Sequence, residues 1–335
     1  MKRVMITGAT GLIGSHTLAA RLGRSEAERV QPDETVAVAH SENSWEQPDW
    51  LLSRRGADPA AYTRTVAELE YMDDCRRLLH EHRPEIVFHC AARVSVGKTR
   101  NGEQLVRQNV ALVHNLITAA LELPAESRPL FVHVSSIAAL GHSTDPEGCT
   151  DEQTVMDNLS GCSAYARSKF LSENEVWRGA AHGLRVVAVN PAVVIGAMSP
   201  RSGFWLNGLF RAVRRGGHRF WIDGEAAFVA ADDVARAMLL LAERPETWGK
   251  RYILSAGQLP YRQFLGRIAR IEGRPEPRIE IPRWLLQPAV PFVPALGAVL
   301  APHARIDGSA ILRALPSFRY SDWTETLAEA AESQR

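Results

Sequence analysis

The stretch that decides the fold of this chain is Val4-Met5-Ile6-Thr7-Gly8-Ala9-Thr10-Gly11-Leu12-Ile13-Gly14. Its apolar run predicts a buried strand, and the residues after Gly11 predict an amphipathic helix. Gly8 permits a tight turn, Gly11 lets a ligand approach the backbone, and Gly14 allows close helix packing. Because a helix start presents free N–H groups and the positive end of its dipole, the turn predicts a site for a dinucleotide pyrophosphate.

Short β-branched runs recur along the chain and alternate with segments of helix length. We predict strands at residues 3–7, 35–39, 85–90, 130–135 and 184–190. We predict helices at residues 12–24, 73–81, 103–121 and 164–181. Strands that alternate with helices imply right-handed crossovers. The predicted fold class is therefore α/β, a Rossmann-type doubly wound parallel sheet with a smaller C-terminal substrate-binding region.

The pattern changes after Asn190, where Trp, Gly and Pro become more frequent. We expect residues 1–190 to form a dinucleotide-binding Rossmann domain that carries the catalytic motif. Residues 191–335 are expected to form mainly the substrate-binding region. A helix predicted at 231–243 begins with Asp232-Asp233, which suit a helix N-terminus. It is expected to bring the part from about 228 to 255 back onto the main sheet.

The composition argues against several classes of function. The chain has 335 residues, of which 45% are hydrophobic, and its 39 Lys and Arg nearly balance 38 Asp and Glu. Such a balance gives no overall field that would attract nucleic acid, so no nucleic-acid partner is expected. The four cysteines form no CxxC pair and the histidines lack a metal-ligand spacing, so we expect no metal and a cytoplasmic location.

An apolar stretch lies at residues 284–302 and is interrupted by Gln287, Pro288, Pro291 and Pro294. Prolines interrupt helices, so no membrane-spanning segment is expected. The first residues also lack the apolar run of a signal peptide. We expect the stretch to cover the substrate-binding region, and peripheral contact with a membrane or a partner is the alternative.

Tyr165 and Lys169 lie four residues apart, which places them one turn apart on one face of a predicted helix. A free phenol has a pKa near ~10, and a neighbouring cation stabilises phenolate. Lys169 is therefore expected to lower the pKa of Tyr165. The predicted strand at 130–135 runs into Ser135-Ser136, a pair that offers a hydroxyl to hold a substrate carbonyl oxygen. These residues together predict proton-transfer chemistry.

These motifs, in this order, resemble the extended branch of the short-chain dehydrogenase/reductase superfamily, also called the NAD-dependent epimerase/dehydratase family. Besides the glycine turn and Tyr165 to Lys169, they are His89-Cys90-Ala91-Ala92, Asn109, Ser135-Ser136 and Asn190 to Gly196. The resemblance covers roughly residues 2 to 255. The part from 217 to 255 is most similar to dihydroflavonol-reductase-like and hydroxysteroid-dehydrogenase-like members.

The resemblance implies a role for each matching position. Tyr165 would be the general acid in reduction or the base in oxidation, and Lys169 would hydrogen-bond the nicotinamide ribose. Ser136, five residues before Gly141, would be the catalytic hydroxyl residue. Glu68, followed by Leu69, stands where the family commonly has an Asp near the adenine. The positions implied to line the cofactor are Gly8, Thr10, Gly11, Leu12, Ile13, Gly14, His40, Ser41, Glu68, Leu69, Ala91, Ala92, Asn109, Val134, Tyr165, Lys169, Pro191, Ala192 and Val193.

The second predicted strand ends at His40-Ser41, where an NAD-binding protein usually places an acid. Without that acid the 2′-phosphate of NADP is not repelled, so NADP is favoured and NAD is the alternative. The segment 41–63 that follows is long, and the sequence assigns it no role. Ile137-Ala138 stand where dehydratases of the family have an Asp-Glu pair, so dehydration lacks its proton donors.

The resulting hypothesis is an NAD(P)-dependent oxidoreductase that transfers a hydride between a nicotinamide cofactor and the carbonyl or alcohol of a small, moderately hydrophobic substrate. Family resemblance implies a homodimer. Several aromatic residues are candidates to line the substrate pocket or simply to pack the smaller region: Phe204, Trp205, Phe210, Phe220 and Trp221. One alternative is a nucleotide-sugar epimerase with tightly bound NAD, which would use arginines between 201 and 219 for the substrate diphosphate. A weaker alternative is a non-catalytic dinucleotide-binding regulatory protein.

Overall fold

The computed structural model describes residues 3–23, 34–93, 102–141, 148–289 and 305–334. Residues 290–302 of the apolar stretch predicted at 284–302 thus lie outside the described residues. The strands are β1 (Val4–Thr7), β2 (Thr35–Ala39), β3 (Thr63–Val66), β4 (Ile86–His89), β5 (Leu130–Val134), β6 (Cys149–Thr150), β7 (Val186–Pro191), β8 (Val193–Ile195), β9 (Phe220–Ile222), β10 (Glu225–Ala230), β11 (Lys250–Leu254), β12 (Gln258–Pro260), β13 (Ile279–Ile281) and β14 (Arg305–Ile306).

Helices connect most of these strands. They are α1 (Leu12–Leu22), α2 (Glu46–Arg54), α3 (Met72–His82), α4 (Gly102–Glu122), α5 (Ala164–Ala181), α6 (Trp205–Arg214), α7 (Ala231–Ala242), α8 (Tyr261–Ile271), α9 (Arg283–Leu286), α10 (Ser309–Ala314) and α11 (Trp323–Glu332). None of the helices in the described part of the chain combines the length and the apolarity needed to cross a membrane.

A seven-stranded sheet forms the centre of the molecule, with the strand order β11-β7-β5-β4-β1-β2-β3. All neighbouring strands in it are parallel. The order reverses between β1 and β4, which pair with Thr7 opposite His89. Ligands of doubly wound sheets bind beyond the carboxyl ends of the strands at such a reversal. The predicted Rossmann-type fold class is confirmed, and the switch point lies beside the glycine turn.

Side chains of the central strands alternate between two buried layers. One face carries Val4, Ile6 and Val187 and packs against α1 and α7 through residues such as Leu18 and Met238. The other face carries Met5, Val87 and Phe131 and packs against α4 and α5 through residues such as Leu116 and Val176. Both layers are almost fully buried, so the carboxyl edge of the sheet rests on a rigid support.

The C-terminal part adds a smaller layer around a third apolar cluster, which includes Phe210, Phe228, Phe264 and Leu327. Its strands form a β12-β10-β8 sheet and a β13-β9 pair. Strand β11 joins the central sheet beside β7, and α7 packs against α1. The C-terminal part is therefore interleaved with the Rossmann half, and the division at residue 190 stays a prediction.

Candidate active site

Two of the three glycines in the turn between β1 and α1 are required by packing. Gly8 has a φ of +66°, and a Cβ on it would lie 2.6 Å from backbone atoms of Ala91. A Cβ on Gly14 would lie 2.1 Å from the carbonyl oxygen of Gly8. A Cβ on Gly11 would meet nothing nearer than that oxygen, at 3.4 Å, among the described residues. Packing of the described residues therefore does not require glycine at position 11, and the contact of Gly11 with a cofactor stays a prediction.

The N-terminus of α1 is prepared for an anion. Its N-cap is Gly11, which has no side chain to cap the helix, and no acidic residue lies in the first turn. Gly11 is exposed, and Thr10, Leu12 and Ile13 are partly exposed around it. The first N–H groups of a helix need an acceptor, and a phosphate satisfies them. The turn therefore fits the pyrophosphate of a nicotinamide dinucleotide.

The predicted adenosine side follows the tips of β2, β3 and β4. His40 is exposed and Ser41 partly exposed at the tip of β2, and the first acid, the exposed Glu42, comes one place later at the start of a 3-10 turn. Beyond β3, Leu69 is buried, and the Glu68 carboxylate lies 3.7 Å from the Arg93 guanidinium. Arg93, which directly follows the predicted Ala91-Ala92 contacts, is a charged neighbour that sequence reasoning missed.

The catalytic candidates come together where β5 ends and α5 begins. The Ser163 hydroxyl accepts a hydrogen bond from the N–H of Ala166 and so fixes the start of α5. Lys169, one turn after Tyr165, is buried and donates from Nζ to the carbonyl oxygen of Val134 at 3.0 Å. Ser136 follows β5, and its hydroxyl lies near enough to the Tyr165 phenol to lower the pKa of that phenol. The structure thus brings Ser136, Tyr165 and Lys169 into one cluster beside the switch point.

Electrostatics at this cluster differ from the expectation in one respect. Burial raises the pKa of the Tyr165 phenol, and the nearby Ser136 hydroxyl opposes that rise. The sequence had assigned the lowering of this pKa to Lys169, but the ammonium group is directed at the Val134 carbonyl instead. Burial also lowers the pKa of Lys169 to about 8. At neutral pH, Tyr165 therefore holds its proton and Lys169 is mostly charged.

Ser135 and Ser136, the pair from which Ser136 is predicted as the catalytic hydroxyl residue, have different surroundings. The Ser135 hydroxyl is buried and has no hydrogen-bond partner among the described residues. Ser136 is partly exposed, and its hydroxyl also accepts from the N–H of Ala138 at 3.2 Å. Asn190 donates to the Ser136 carbonyl at 3.1 Å and so anchors the backbone at this point.

Asn109, predicted as a cofactor contact, lies buried behind the cluster. Its side chain accepts from the N–H of Arg93 at 2.7 Å and donates to the Arg93 carbonyl at 3.0 Å and to the Ser168 hydroxyl at 3.1 Å. It therefore ties the loop after β4 to α5. The described structure gives Asn109 a bracing function, and its direct cofactor contact stays a prediction.

Pro191, Ala192 and Val193 join β7 to β8 on the far side of the cluster. Ala192 is buried and its N–H donates to the Leu254 carbonyl at 3.0 Å. Val193 is 37% exposed, so this residue offers an apolar side chain to a ligand. The segment thus has one residue held by β11 and one free to contact the predicted nicotinamide.

Two histidines lie buried in the sheet, and the stacking of their rings was not predicted from the sequence. His89 and His133 pair across β4 and β5, with ring centroids 5.5 Å apart. The Thr7 hydroxyl hydrogen-bonds Nδ1 of His89 at 2.8 Å. Burial lowers the pKa of His89 to about 3 and that of His133 well below its usual value. Both rings are therefore neutral, and strand alternation with Phe131 was the signal that placed His133 inside.

The long segment 41–63 has a structural function that the sequence did not reveal. It folds into a 3-10 turn and α2, and Gln47 of α2 accepts from the N–H of Ser199 at 2.7 Å. Arg55 forms two hydrogen bonds of 2.7 Å to Asp232, whose carboxylate also bonds His16 at 2.8 Å. The segment therefore joins α1 to α7 and to the loop after β8.

The glycine turn, the switch point and the Tyr165 cluster define a nicotinamide-dinucleotide-dependent enzyme on a Rossmann fold. A model of the NAD dependent epimerase/dehydratase family matches residues 4–257. The chain belongs to this family, which is the extended branch of the short-chain dehydrogenase/reductases, and it is an NAD(P)-dependent oxidoreductase.

Relatives with characterised or assigned functions span most of the chain. Sterol demethylase protein B of Methylococcus capsulatus is 28% identical over 286 residues, which cover 84% of this chain and 78% of the relative. The putative dihydroflavonol 4-reductase of Synechocystis is 30% identical over 305 residues, which cover 90% and 80%.

Solved structures share the fold. The yeast methylglyoxal/isovaleraldehyde reductase complexed with NADPH has a TM-score of 0.76 at 18% identity, over 99% of this chain and 98% of that chain. The Bordetella bronchiseptica enzyme WbmH in complex with NAD+ has a TM-score of 0.75 at 21% identity, with the same coverage. The fold is thus found with either cofactor bound.

Proposed function

We propose that this enzyme uses NADPH to reduce the carbonyl group of a small, moderately hydrophobic molecule. The observation that carries the proposal is the cluster of Ser136, Tyr165 and Lys169 at the switch point. The raised pKa of Tyr165 keeps its proton on the phenol at neutral pH. A protonated phenol suits a general acid better than a general base, so reduction is the favoured direction.

Each residue of the cluster has one part in the proposed step. The Ser136 hydroxyl holds the substrate oxygen, and Tyr165 donates its proton to that oxygen as negative charge develops there. Lys169, fixed by the Val134 carbonyl, binds the nicotinamide ribose. The nicotinamide, when bound, supplies the hydride to the carbonyl carbon.

NADP is the proposed cofactor because no acid stands at the tip of β2 to repel a 2′-phosphate. The exposed side chains there, His40 and Ser41, offer hydrogen bonds instead. Titration of the protein with NADPH and NADH, followed by intrinsic tryptophan fluorescence, tests this choice. Tighter binding of NADPH is expected, and a clear preference for NADH would overturn it.

Two observations support the proposed substrate class: the exposed aromatic residue of the smaller layer and the names of two relatives. Two relatives of this chain carry the names putative dihydroflavonol 4-reductase and cinnamoyl-CoA reductase 1. Trp205, which stacks edge-on with Phe204, is 38% exposed and is available to a ligand. Phe210 is fully buried in the third apolar cluster, which for this residue favours packing over pocket lining, the two alternatives that the sequence left open.

The proposal is tested by turnover. Purified protein is mixed with NADPH and a panel of aliphatic and aromatic aldehydes and ketones, and loss of the nicotinamide absorbance is followed. Consumption with the more hydrophobic members is expected. No consumption across a broad panel would contradict the reductase.

Epimerisation of a nucleotide sugar is the second candidate. It would show as NAD retained through purification, or as thermal stabilisation by UDP or GDP sugars. Free dissociation of the cofactor supports the reductase instead. A non-catalytic dinucleotide-binding protein would bind cofactor and turn nothing over, with or without Tyr165.

We also propose a cytoplasmic homodimer. All four cysteines are free, which suits a reducing compartment. Dimerisation through two helices of the Rossmann half follows the family pattern, and α4 and α5, which pack against each other, are the candidates. Light scattering on the eluting peak of a sizing column tests it, and a monomer mass would refute it.

A further inference from the structure

One part of the C-terminal layer carries a high positive charge, whereas the rest of the chain is negative. We call residues 205–222 and 261–286 the basic lobe; it contains α6, β9, α8, β13 and α9. The lobe carries ten arginines and three glutamates, a net charge of +7, within a chain whose total is +1. The remainder of the chain therefore carries −6. The near neutrality of the whole sequence conceals this asymmetry.

Much of this positive charge is not neutralised within the protein. Arg214 lies 3.4 Å from Glu272, and Arg270 lies 2.8 Å from Glu276. Arg215, Arg219 and Arg278 are exposed and form no ion pair within the described part of the chain. Exposed cations without partners leave a positive potential that attracts an anionic surface.

Large apolar side chains stand beside these arginines. Phe220 and Ile279 pair in register across β9 and β13 and are 48% and 49% exposed. Arg219 and Arg278 directly precede them, and the N–H of Arg278 donates to the Arg219 carbonyl at 3.2 Å.

The short helix α9 follows β13 and adds two more exposed apolar residues. Trp284 is 71% exposed and Leu285 is 57% exposed. A neighbouring set of exposed apolar residues rimmed by charge marks an interaction site. Together with Phe220 and Ile279, they form the apolar part of the basic lobe.

We infer that the basic lobe docks the enzyme on an anionic lipid bilayer. Arginines are drawn to anionic headgroups, and Trp, Phe and Leu enter the boundary between headgroups and acyl chains. A nucleic acid would match the charge, but the aliphatic Ile279 and Leu285 lack the ring faces on which bases stack, whereas the acyl boundary of a bilayer takes up aliphatic side chains. Docking would place the enzyme where a hydrophobic substrate partitions. The inference concerns binding alone and does not depend on the proposed reduction.

Flotation with vesicles tests the inference on the full chain. One set of vesicles contains phosphatidylcholine, and the other contains equimolar phosphatidylcholine and phosphatidylglycerol. The protein is expected to float with the anionic vesicles and to be released as salt rises from about 0.1 M to about 1 M, where the screening length falls from ~10 Å to ~3 Å. Failure to float with anionic vesicles at low salt would overturn the inference. So would binding to homopolymer RNA without binding to vesicles.

Two double variants locate the surface. Each basic residue near an anionic membrane contributes about fivefold to partitioning, so Arg219→Glu with Arg278→Glu is expected to weaken binding at least ~25-fold. Trp284→Ser with Leu285→Ser should also weaken binding at low salt, because it removes apolar contact with the bilayer and leaves the charge unchanged.

The matched control is Lys250→Glu with Arg313→Glu, which makes the same change in net charge at exposed residues outside the lobe. It is expected to leave flotation within about twofold of the parent, because charges beyond a screening length contribute little. Thermal melting and NADPH binding of every variant verify the fold. Equal losses in the lobe and control variants would show a net-charge effect and would refute the assignment. Because no step involves turnover, a failed reductase assay leaves this test unaffected.

Discussion

The central sheet and the basic lobe bury their apolar side chains to very different extents. Val4, Ile6 and Val187 of the sheet are fully buried, whereas Phe220 and Trp284 of the lobe are 48% and 71% exposed. The sheet holds its loops rigidly at the carboxyl edge, where displacement of a catalytic group is costly. The lobe keeps apolar and charged groups in reach of a partner. Chemistry and recognition thus reside in parts of the molecule with opposite surface properties.

The largest effect is expected at the phenol of the rigid half. Tyr165→Phe removes the proton donor and keeps the ring, so turnover should fall by about 10²–10⁴ while the cofactor dissociation constant is unchanged. Tyr71→Phe is the matched control, since Tyr71 is 68% exposed outside the cluster. Steady-state rates and cofactor titration measure both. A Tyr165→Phe enzyme with a tenth or more of the parent activity would exclude Tyr165 as the acid.

A glycine pair separates packing from ligand binding within the same turn. Gly14→Ala forces a Cβ to 2.1 Å from the Gly8 carbonyl, and we expect a loss of about 3 kcal/mol in the free energy of unfolding. Gly11→Ala should leave that free energy nearly unchanged and weaken cofactor binding. Urea unfolding and cofactor titration distinguish the two. Equal destabilisation by both substitutions would show that Gly11 is a packing glycine.

The buried histidines predict how the sheet responds to acid. Their pKa values are lowered in the folded state, so below pH 6.5 the unfolded chain binds more protons and stability falls as pH falls. For each histidine the loss is ~1.4 kcal/mol per pH unit between its unfolded and folded pKa values. His133→Phe should make the fall in stability below about pH 6 less steep. Urea unfolding at several pH values measures it, and an unchanged slope would place the proton uptake elsewhere.

A smaller effect is expected at the junction between the two halves. Burial raises the pKa of Asp232, but His16 and Arg55 outweigh it and hold the pKa well below its usual range. Asp232→Asn should cost about 1–2 kcal/mol, because the carboxylate is 30% exposed and Arg55 keeps Glu329 at 3.3 Å. Arg64→Gln, at an exposed ion pair with Asp49, is the control and should cost less. Equal costs would mean that the junction is an ordinary surface ion pair.

The smallest effect is expected at the edge of the substrate layer. Trp205→Ala should change relative KM values across the carbonyl panel by a few-fold and leave cofactor binding intact, since loss of apolar contact costs about 1–3 kcal/mol at most. Steady-state kinetics measure it. A uniform fall in turnover for every substrate, without a change in preference, would argue against a pocket role.

The Rossmann half was largely predictable because its signals are local. The Gly8 turn and the β-branched runs follow from backbone geometry and burial, and the predicted helix at 164–181 is α5 as observed. Helix α2 was missed because Pro48 lies inside it and its apolar residues do not repeat clearly. Arg55 and Asp232, which form the junction, lie 177 positions apart in the sequence. No local pattern predicts a contact over such a separation.

The sequence predicted which residues form the site better than it predicted their pKa values and side-chain directions. Ser136, Tyr165 and Lys169 follow from spacing and family resemblance. The direction of the Lys169 side chain toward Val134 depends on how α5 packs on β5, which the sequence does not encode locally. The basic lobe was hidden for a different reason, because the net charge of the whole chain conceals the charge of one part of it.

The most direct test of the central claim is a crystal structure of the enzyme with NADP⁺. The account predicts the pyrophosphate on the N–H groups that begin α1, the Lys169 ammonium within about 3 Å of a nicotinamide-ribose hydroxyl, and the nicotinamide between Tyr165 and Val193. A dinucleotide bound elsewhere, or a nicotinamide ring out of reach of Tyr165, would contradict it.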